Sequence, residues 1–488
     1  MRPLALFVAV LPVLAWPAVI AESASGGDAP DAGLAVPAPQ APAAPAPEPP
    51  ATFDLVQTPW GPGRKTSGEK FSSQALAPGE GPLRWRWGDY SLALGGQYFA
   101  RGEWRGDADF DAARGDSSLG IDHRARLTMR ASAKERVGVL LEFQDVRAWG
   151  TEPSTVGTVP TTSVHQAFVD VKAAPWLDVR VGRQELSYGE DRLIGNLDWA
   201  QAARAFNGVF ARVTASKSVT LDAFGMLLKP PAWLTRDNST ERFHQSGSYF
   251  TGLYLRARLG AGGFDAYALG LLEDPSTSAT GLRRDNNRVT LGGRGFVTLG
   301  GLALLGEGAF QTGTVGQAGD LLLAGACAGR ATYTLRVWGA PYLLAEFSGA
   351  SGDGNPGDGV DHTFHQLFPT GHLHLGFIDF VGWQNVLGWR GTVGWKPWGA
   401  HLWVDVHHFR AWDARGAWYA ANGSVFLAAD DTRTAADMGT EVDVNVTIPV
   451  HAHLALAGAF AVFVPGGMAA SRGTAPSTWG FLYLRSQL

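Results

Sequence analysis

From Leu83 onward, apolar and polar side chains alternate one for one. Tyr90, Leu92, Leu94, Tyr98, Ala100 and Trp104 share one parity, while Ser91, Gln97, Arg101, Glu103 and Arg105 share the other. A period of two sends the two sets to opposite faces of a β-strand. The next segment repeats it, with Ile121, Ala125, Leu127 and Met129 set against Asp122, Arg124, Arg126, Thr128 and Arg130. A face this densely charged must meet water, so the apolar face is left for lipid. Eighteen such segments can be counted, centred near residues 97, 126, 141, 168, 180, 209, 223, 254, 268, 294, 306, 329, 344, 390, 406, 443, 457 and 481.

The gaps between segments alternate in length. Long ones fall near 106–118, 149–162, 187–203, 229–246, 274–286, 313–319, 350–384, 412–435 and 465–477, and short turns lie between them. Long extracellular loops opposite short periplasmic turns are the outer-membrane pattern. The barrel must close, because an open sheet edge in lipid leaves N–H and C=O groups unsatisfied. The expected fold is all-β: a closed 18-stranded antiparallel transmembrane β-barrel over 83–488, with both termini on the periplasmic side. A soluble propeller or sandwich is the competing reading, and the loop asymmetry argues against it.

Composition narrows the class further. The chain is 45% hydrophobic but only 17% charged, with 63 Gly and a net charge of −5. Its mean hydropathy of −0.04 is too low for a helical membrane protein, and no apolar run after residue 21 approaches the ~20 residues that a spanning helix needs. The mild acidity argues against nucleic acid as a partner. A single cysteine, Cys327, excludes a disulfide framework and a Cys-rich zinc site.

Residues 1–21 read as a secretory signal peptide: Met1-Arg2, an apolar run from Leu4 to Ile20, then a cut after Ala21. Residues 22–82 are rich in Pro and Ala and read as an extended disordered periplasmic tether. An export or cell-wall partner would be its natural contact.

One stretch breaks the alternation, from Gly182 to Val209. Within it Arg183, Arg192 and Arg204 are interleaved with Glu185, Glu190, Asp191 and Asp198. It is too polar for a lipid-facing strand, and it predicts a loop folded into the barrel mouth. Together with Arg101, Glu103, Arg124, Arg126 and Arg130, these residues form the expected pore lining. A loop-anchoring ion-pair network is the plainer reading of the same residues, and the two are compatible. A second stretch, Asp361 to Phe380, holds His362, His365, His372 and His374. Their spacing is not that of a catalytic zinc helix, so aromatic packing is expected. The preceding Ser351–Gly359 loop is oxygen-rich but lacks EF-hand spacing, so a plain turn is expected. No nucleophile elbow, HExxH helix or Walker loop occurs. Carboxylates beside arginines stay ionised and make poor general acids. No catalysis, cofactor or metal is expected.

At these two stretches the sequence resembles the alginate-export family of outer-membrane barrels. GRQELSYGEDRLIGNLDWAQAARAFNGV, beginning at Gly182, is similar to one hallmark of that family. SGDGNPGDGVDHTFHQLFPTGHLHLGFIDFVGWQN, beginning at Ser351, is similar to a second. The resemblance spans about 84–488 and implies a monomeric 18-stranded barrel that passes an anionic polysaccharide through an arginine-rich, acid-flanked pore. Asn207 stands where the family has Asp, and the chain ends Gln487-Leu488 rather than on an aromatic residue. The expected function is an outer-membrane channel for passive export or diffusion of an alginate-like polymer or oligomer. A general or small-solute porin on the same fold, and a surface hydrolase or adhesin, are the alternatives.

Overall fold

A computed structural model describes residues 83–149, 161–229, 247–273, 286–316, 318–451 and 453–487. The expected signal peptide and tether lie outside the described residues, as do most of the loops at 149–162, 229–246 and 274–286.

Among the described residues, twenty strands form one sheet. The first half runs β1 (Leu83–Trp87), β2 (Tyr90–Gly106), β3 (Ser118–Ala133), β4 (Val137–Trp149), β5 (Thr161–Ala174), β6 (Leu177–Gln184), β7 (Phe206–Thr214), β8 (Val219–Lys229), β9 (Ser248–Leu259) and β10 (Gly262–Glu273). It continues with β11 (Asn286–Leu299), β12 (Leu302–Val315), β13 (Asp320–Thr334), β14 (Tyr342–Ala350), the two-residue β15 (Val360–Asp361), β16 (Val386–Trp395) and β17 (His401–Arg410). A loop hairpin, β18 (Trp418–Tyr419) with β19 (Val425–Leu427), stands apart from that sheet, and β20 (Asp437–His451), β21 (Leu454–Pro465) and β22 (Ser477–Gln487) complete it. β1 only extends β2, and β15 only adds to β13 in parallel. The other eighteen pair antiparallel with their neighbours and close through β2 and β22, from Gln97↔Gln487 to Gly106↔Thr478. β1 takes up the edge of β2 just beyond that seam, from Leu83↔Leu94 to Trp87↔Tyr90.

Each of the eighteen expected segments is one barrel strand, and the alternation sets its faces. On β20 Glu441, Asp443 and Asn445 are buried, whereas Val442 and Val444 are exposed. Leu127, Met129, Val137, Val139 and Phe143 lie on the exposed outer wall, as expected for lipid. Exposed Trp85, Trp87, Trp176 and Trp338 mark the short-turn end, and Trp104, Trp149 and Trp389 the long-loop end. Aromatic girdles at both rims suit the two membrane interfaces.

Candidate functional site

Inside the wall, the strand register creates a belt of charge. Arg256 of β9 lies opposite Asp265 of β10, which lies opposite Arg294 of β11, which lies opposite Glu307 of β12. The order resumes with Arg330 of β13 opposite Glu346 of β14, Glu346 opposite Arg390 of β16, and Arg390 opposite His407 of β17. Opposite charges on directly paired positions attract, and the arginine–acid pairs here are buried or nearly so, so the belt fastens the barrel as it lines it. Arg212 and Arg256 share Asp222 at 2.7 and 2.9 Å. The sequence reading omitted these residues, although each obeys the parity of its own strand. Their signal is the isolated charge at an inward position of an otherwise apolar or small-residue strand.

Two loops turn into this lumen. Loop L3 (185–205) joins β6 to β7, and loop L7 (351–385) joins β14 to β16. L3 docks on the β2–β3 arginines. Asp198 Oδ1 accepts from Arg124 Nη2 at 2.8 Å and from Arg126 Nη1 at 3.0 Å. Arg124 Nη1 also donates to the carbonyls of Asp198, Ala200 and Gln201. Arg101 donates to the Trp199 carbonyl at 2.9 Å, and its guanidinium lies 3.8 Å from the Trp199 ring centroid. At the foot of the loop, Glu185 takes His165 at 2.7 Å and Asn196 at 3.1 Å.

Across the lumen, L3 reaches the far wall. Arg192 pairs with Glu346 at 2.8 Å and donates to Ser348, and Glu190 pairs with Arg330. Burial opposes both charges. Even so, Arg330 and Arg294 hold the Glu190 carboxyl below its ordinary range, and Glu346, Glu307 and Glu190 raise the Arg192 guanidinium. Asp191 accepts from Ser187 Oγ at 2.5 Å.

L3 and L7 are also bonded to each other. Ile194 and Phe368 form a parallel bridge, Gly195 N–H donates to the Phe368 carbonyl at 2.8 Å, and Thr370 N–H donates to the Asp191 carbonyl at 2.8 Å. A Cβ on Gly195 would overlap Thr370 Oγ1, so glycine is needed for this approach. Arg204 caps the junction by donating to the carbonyls of Gly195, Phe368 and Pro369. Burial pushes its guanidinium down to about 10, still charged at neutral pH. Among the described residues, twelve non-glycine residues have positive φ, and half of them fall in these two loops: Asp191, Leu197, Ala203, Leu367, Asp379 and Asn385. Strained backbone of this kind persists only where surrounding contacts over-determine it, and it clusters at functional sites. A shared apolar core explains the over-determination, with Trp199, Phe206, Phe364, Phe377, Phe380, Trp383 and Trp479 in one buried cluster.

Eleven of the twelve expected pore residues therefore face the interior, and they do so as partners rather than as free charges. Glu103 joins Arg101 at 3.1 Å and Arg105 at 2.8 Å, and Arg130 joins Asp170 at 2.9 Å. Arg183 is the exception. It shares the outward parity of exposed Val181, pairs across the sheet with Asn207, and donates to the Val164 carbonyl. The loop begins only after Gln184, so strand parity still governs position 183. Arg183 is not part of the lumen wall, and Asn207 pairs with it on that outer face.

The loop histidines do not converge. His362 bonds the Leu323 carbonyl, His372 meets Asp379 and stacks on Trp199, and His374 bonds the Glu190 carbonyl. In the Ser351–Gly359 loop, Asp353 and Asp358 accept backbone N–H groups two residues on, as turn residues do.

The family model described as alginate export matches residues 90–480. The chain belongs to the alginate export family. It is an outer-membrane β-barrel channel. No curated protein sequence matches it. Among solved structures, this alginate-export barrel is similar to OccAB1 of Acinetobacter baumannii, with 12% identity, 81% of this chain and 96% of that chain covered, and a TM-score of 0.53. It is also similar to Pseudomonas aeruginosa OccK5 (OpdH), with 12% identity, 81% and 98% covered, and a TM-score of 0.52. A third is OccK2 (OpdF) of the same species in complex with glucuronate, with 13% identity, 81% and 98% covered, and a TM-score of 0.51. At such identities the likeness is one of fold.

Proposed function

We propose that the channel passes an anionic, carboxylate-bearing sugar polymer or oligomer by passive diffusion. The belt of directly opposed arginines and acids carries this reading. Arginine offers a planar, permanently charged fork to each carboxylate. Adjacent acids limit how tightly any one fork holds, and conduction needs weak multi-site binding. Family membership and the glucuronate complex of OccK2 support the same solute class. The shared apolar core of L3 and L7 favours a second reading, a small anionic solute, because it narrows the lumen.

Planar-bilayer recording tests both readings. Uronate oligomers of increasing length should block current, and neutral oligosaccharides of equal length should not. Block by monomers alone would select the small-solute reading. Arg256→Gln with Arg294→Gln should shift reversal potentials toward cations, most strongly at low salt, since ~0.15 M salt already limits such fields to ~8 Å. Unchanged potentials and unchanged block in the folded variant would make the belt structural and overturn the proposal.

A further inference from the structure

β17 and β20 place four matched side chains on one patch of the lumen wall. Asp405 lies directly opposite Asp443, and His407 directly opposite Glu441. The four are 1% exposed or less. Their strand neighbours Val404, Val406, Val442 and Val444 all point outward, so the inward direction of the patch is fixed by register.

The hydrogen-bond accounting at this patch does not close. Asp405 is well supplied, by Arg390 Nε at 2.9 Å, Thr392 Oγ1 at 2.5 Å and Trp403 Nε1 at 2.9 Å. Glu441 Oε1 takes the Ile378 N–H at 2.9 Å. Nε2 of His407 has no hydrogen-bond partner, and neither Asp443 oxygen nor Oε2 of Glu441 receives a bond from any N–H or hydroxyl donor, so the two acids can bond only to each other, through a proton held by one of them. A buried carboxylate left this way is costly. With all three acids ionised, as metal ligation requires, the patch would carry a formal excess of two negative charges over its one arginine.

Two of these atoms face each other. His407 Nε2 lies 3.4 Å from Asp443 Oδ2. One donor atom from each of Asp405, His407 and Asp443 can be chosen so that all lie within 4.8 Å of one another. Zinc bonds of ~2.0–2.1 Å in a tetrahedron put ligand atoms ~3.3 Å apart.

We propose that Asp405, His407 and Asp443 bind one divalent first-row transition-metal ion in the barrel lumen, as a three-residue protein set that leaves a position open. The imidazole disfavours Ca²⁺ and Mg²⁺, which take oxygen ligands, and the absence of thiolate from the set disfavours Cu(I). The charge of the ion matches the excess of the patch. It also sits against L7: the same Glu441 holds the Ile378 N–H, and a Cβ on Gly376 would collide with the Glu441 carboxylate. A bound ion would thus brace the wall where L7 leans on it. The other buried triad, Glu142, His165 and Glu185, differs. Glu142 is engaged by Thr128 and Gln166, and Glu185 by His165 and Asn196.

The test uses the full-length protein in detergent, stripped with EDTA and dialysed against Zn²⁺. Elemental analysis should find one Zn²⁺ per chain, and Co²⁺ in its place should give visible d–d bands. Asp443→Asn and His407→Gln should each weaken binding by more than the ~10–100-fold typical of outer-shell changes. Glu142→Gln should bind as wild type. Heat-modifiable migration on gels reports folding of each variant. If Asp443→Asn does not fold, His407→Gln, which removes no carboxylate, decides the matter. Substoichiometric Zn²⁺ in the wild type, or wild-type binding by folded His407→Gln, overturns the proposal and leaves a proton shared by Glu441 and Asp443 as what holds the acids together. Metal content is read without transport, so this result stands apart from the fate of the channel reading.

Discussion

Asp198 accepts from Arg124 at 2.8 Å across 74 residues of sequence, and the same Oδ1 takes Arg126. One carboxylate at the tip of L3 thereby quiets two neighbouring arginines of β3 and seats the loop against the wall.

Asp198→Ala should unseat L3. Breaking a buried pair costs ~3–5 kcal/mol, and the low end is expected here because Asp198 keeps 22% of its side-chain exposure. Faster hydrogen exchange at L3 amides should accompany a reversal-potential shift toward anions, since two arginines lose their counter-charge. A shift toward cations would contradict the assignment.

Leu127→Arg should oppose assembly. Leu127 is 58% exposed on the outer wall, where arginine costs ~2–4 kcal/mol at the bilayer midplane. Folding into lipid vesicles, followed by heat-modifiable migration, should show a reduced folded fraction. Wild-type assembly would mean that the strand faces the other way.

Arg204→Lys should loosen the L3–L7 junction although charge is kept. All three bonds to the Gly195, Phe368 and Pro369 carbonyls come from Nη1, at the far end of the guanidinium, and a lysine ammonium sits one bond short of that point. Hydrogen bonds from charged groups are worth ~1.5–3 kcal/mol each. Increased gating noise in single-channel traces is the expected sign, and quiet traces would refute it.

Acid should weaken the seat of L7. Burial, with Arg288 nearby, pushes His365 down to about 3, and burial with Arg192 nearby lowers His374. Both stay neutral when seated. Once released, each takes a proton below the ordinary histidine value of ~6.5. The stability that neutrality supports is therefore full above ~6.5 and declines as pH falls toward the depressed values. Gating that rises between pH 6.5 and 4 in wild type should flatten in His365→Gln with His374→Gln.

Much of the fold was legible because its cause is local. A strand between lipid and water must alternate, so Leu127 out and Arg126 in could be read from neighbours alone, and the count of eighteen followed. The inturned L3 was legible too, since Glu185 to Arg204 is too charged for a lipid-facing wall. Arg183 was misplaced because it lies just inside the end of β6, where one residue of register decides the face.

The sequence by itself determined the membrane face, the strand number and the residues rich enough in charge to need water. Only the tertiary structure decided which charge meets which. Asp198 finds Arg124, Glu190 finds Arg330, and Asp405 faces Asp443 through inter-strand register and loop insertion. These are contacts between residues far apart in the chain, and no local period encodes them. The loop histidines, close in sequence, go to separate partners, whereas the buried His407 patch brings together two strands whose ligand sets lie more than thirty residues apart. Alternation follows from the solvent on each face, but pairing follows from where closure of the barrel brings each face to rest.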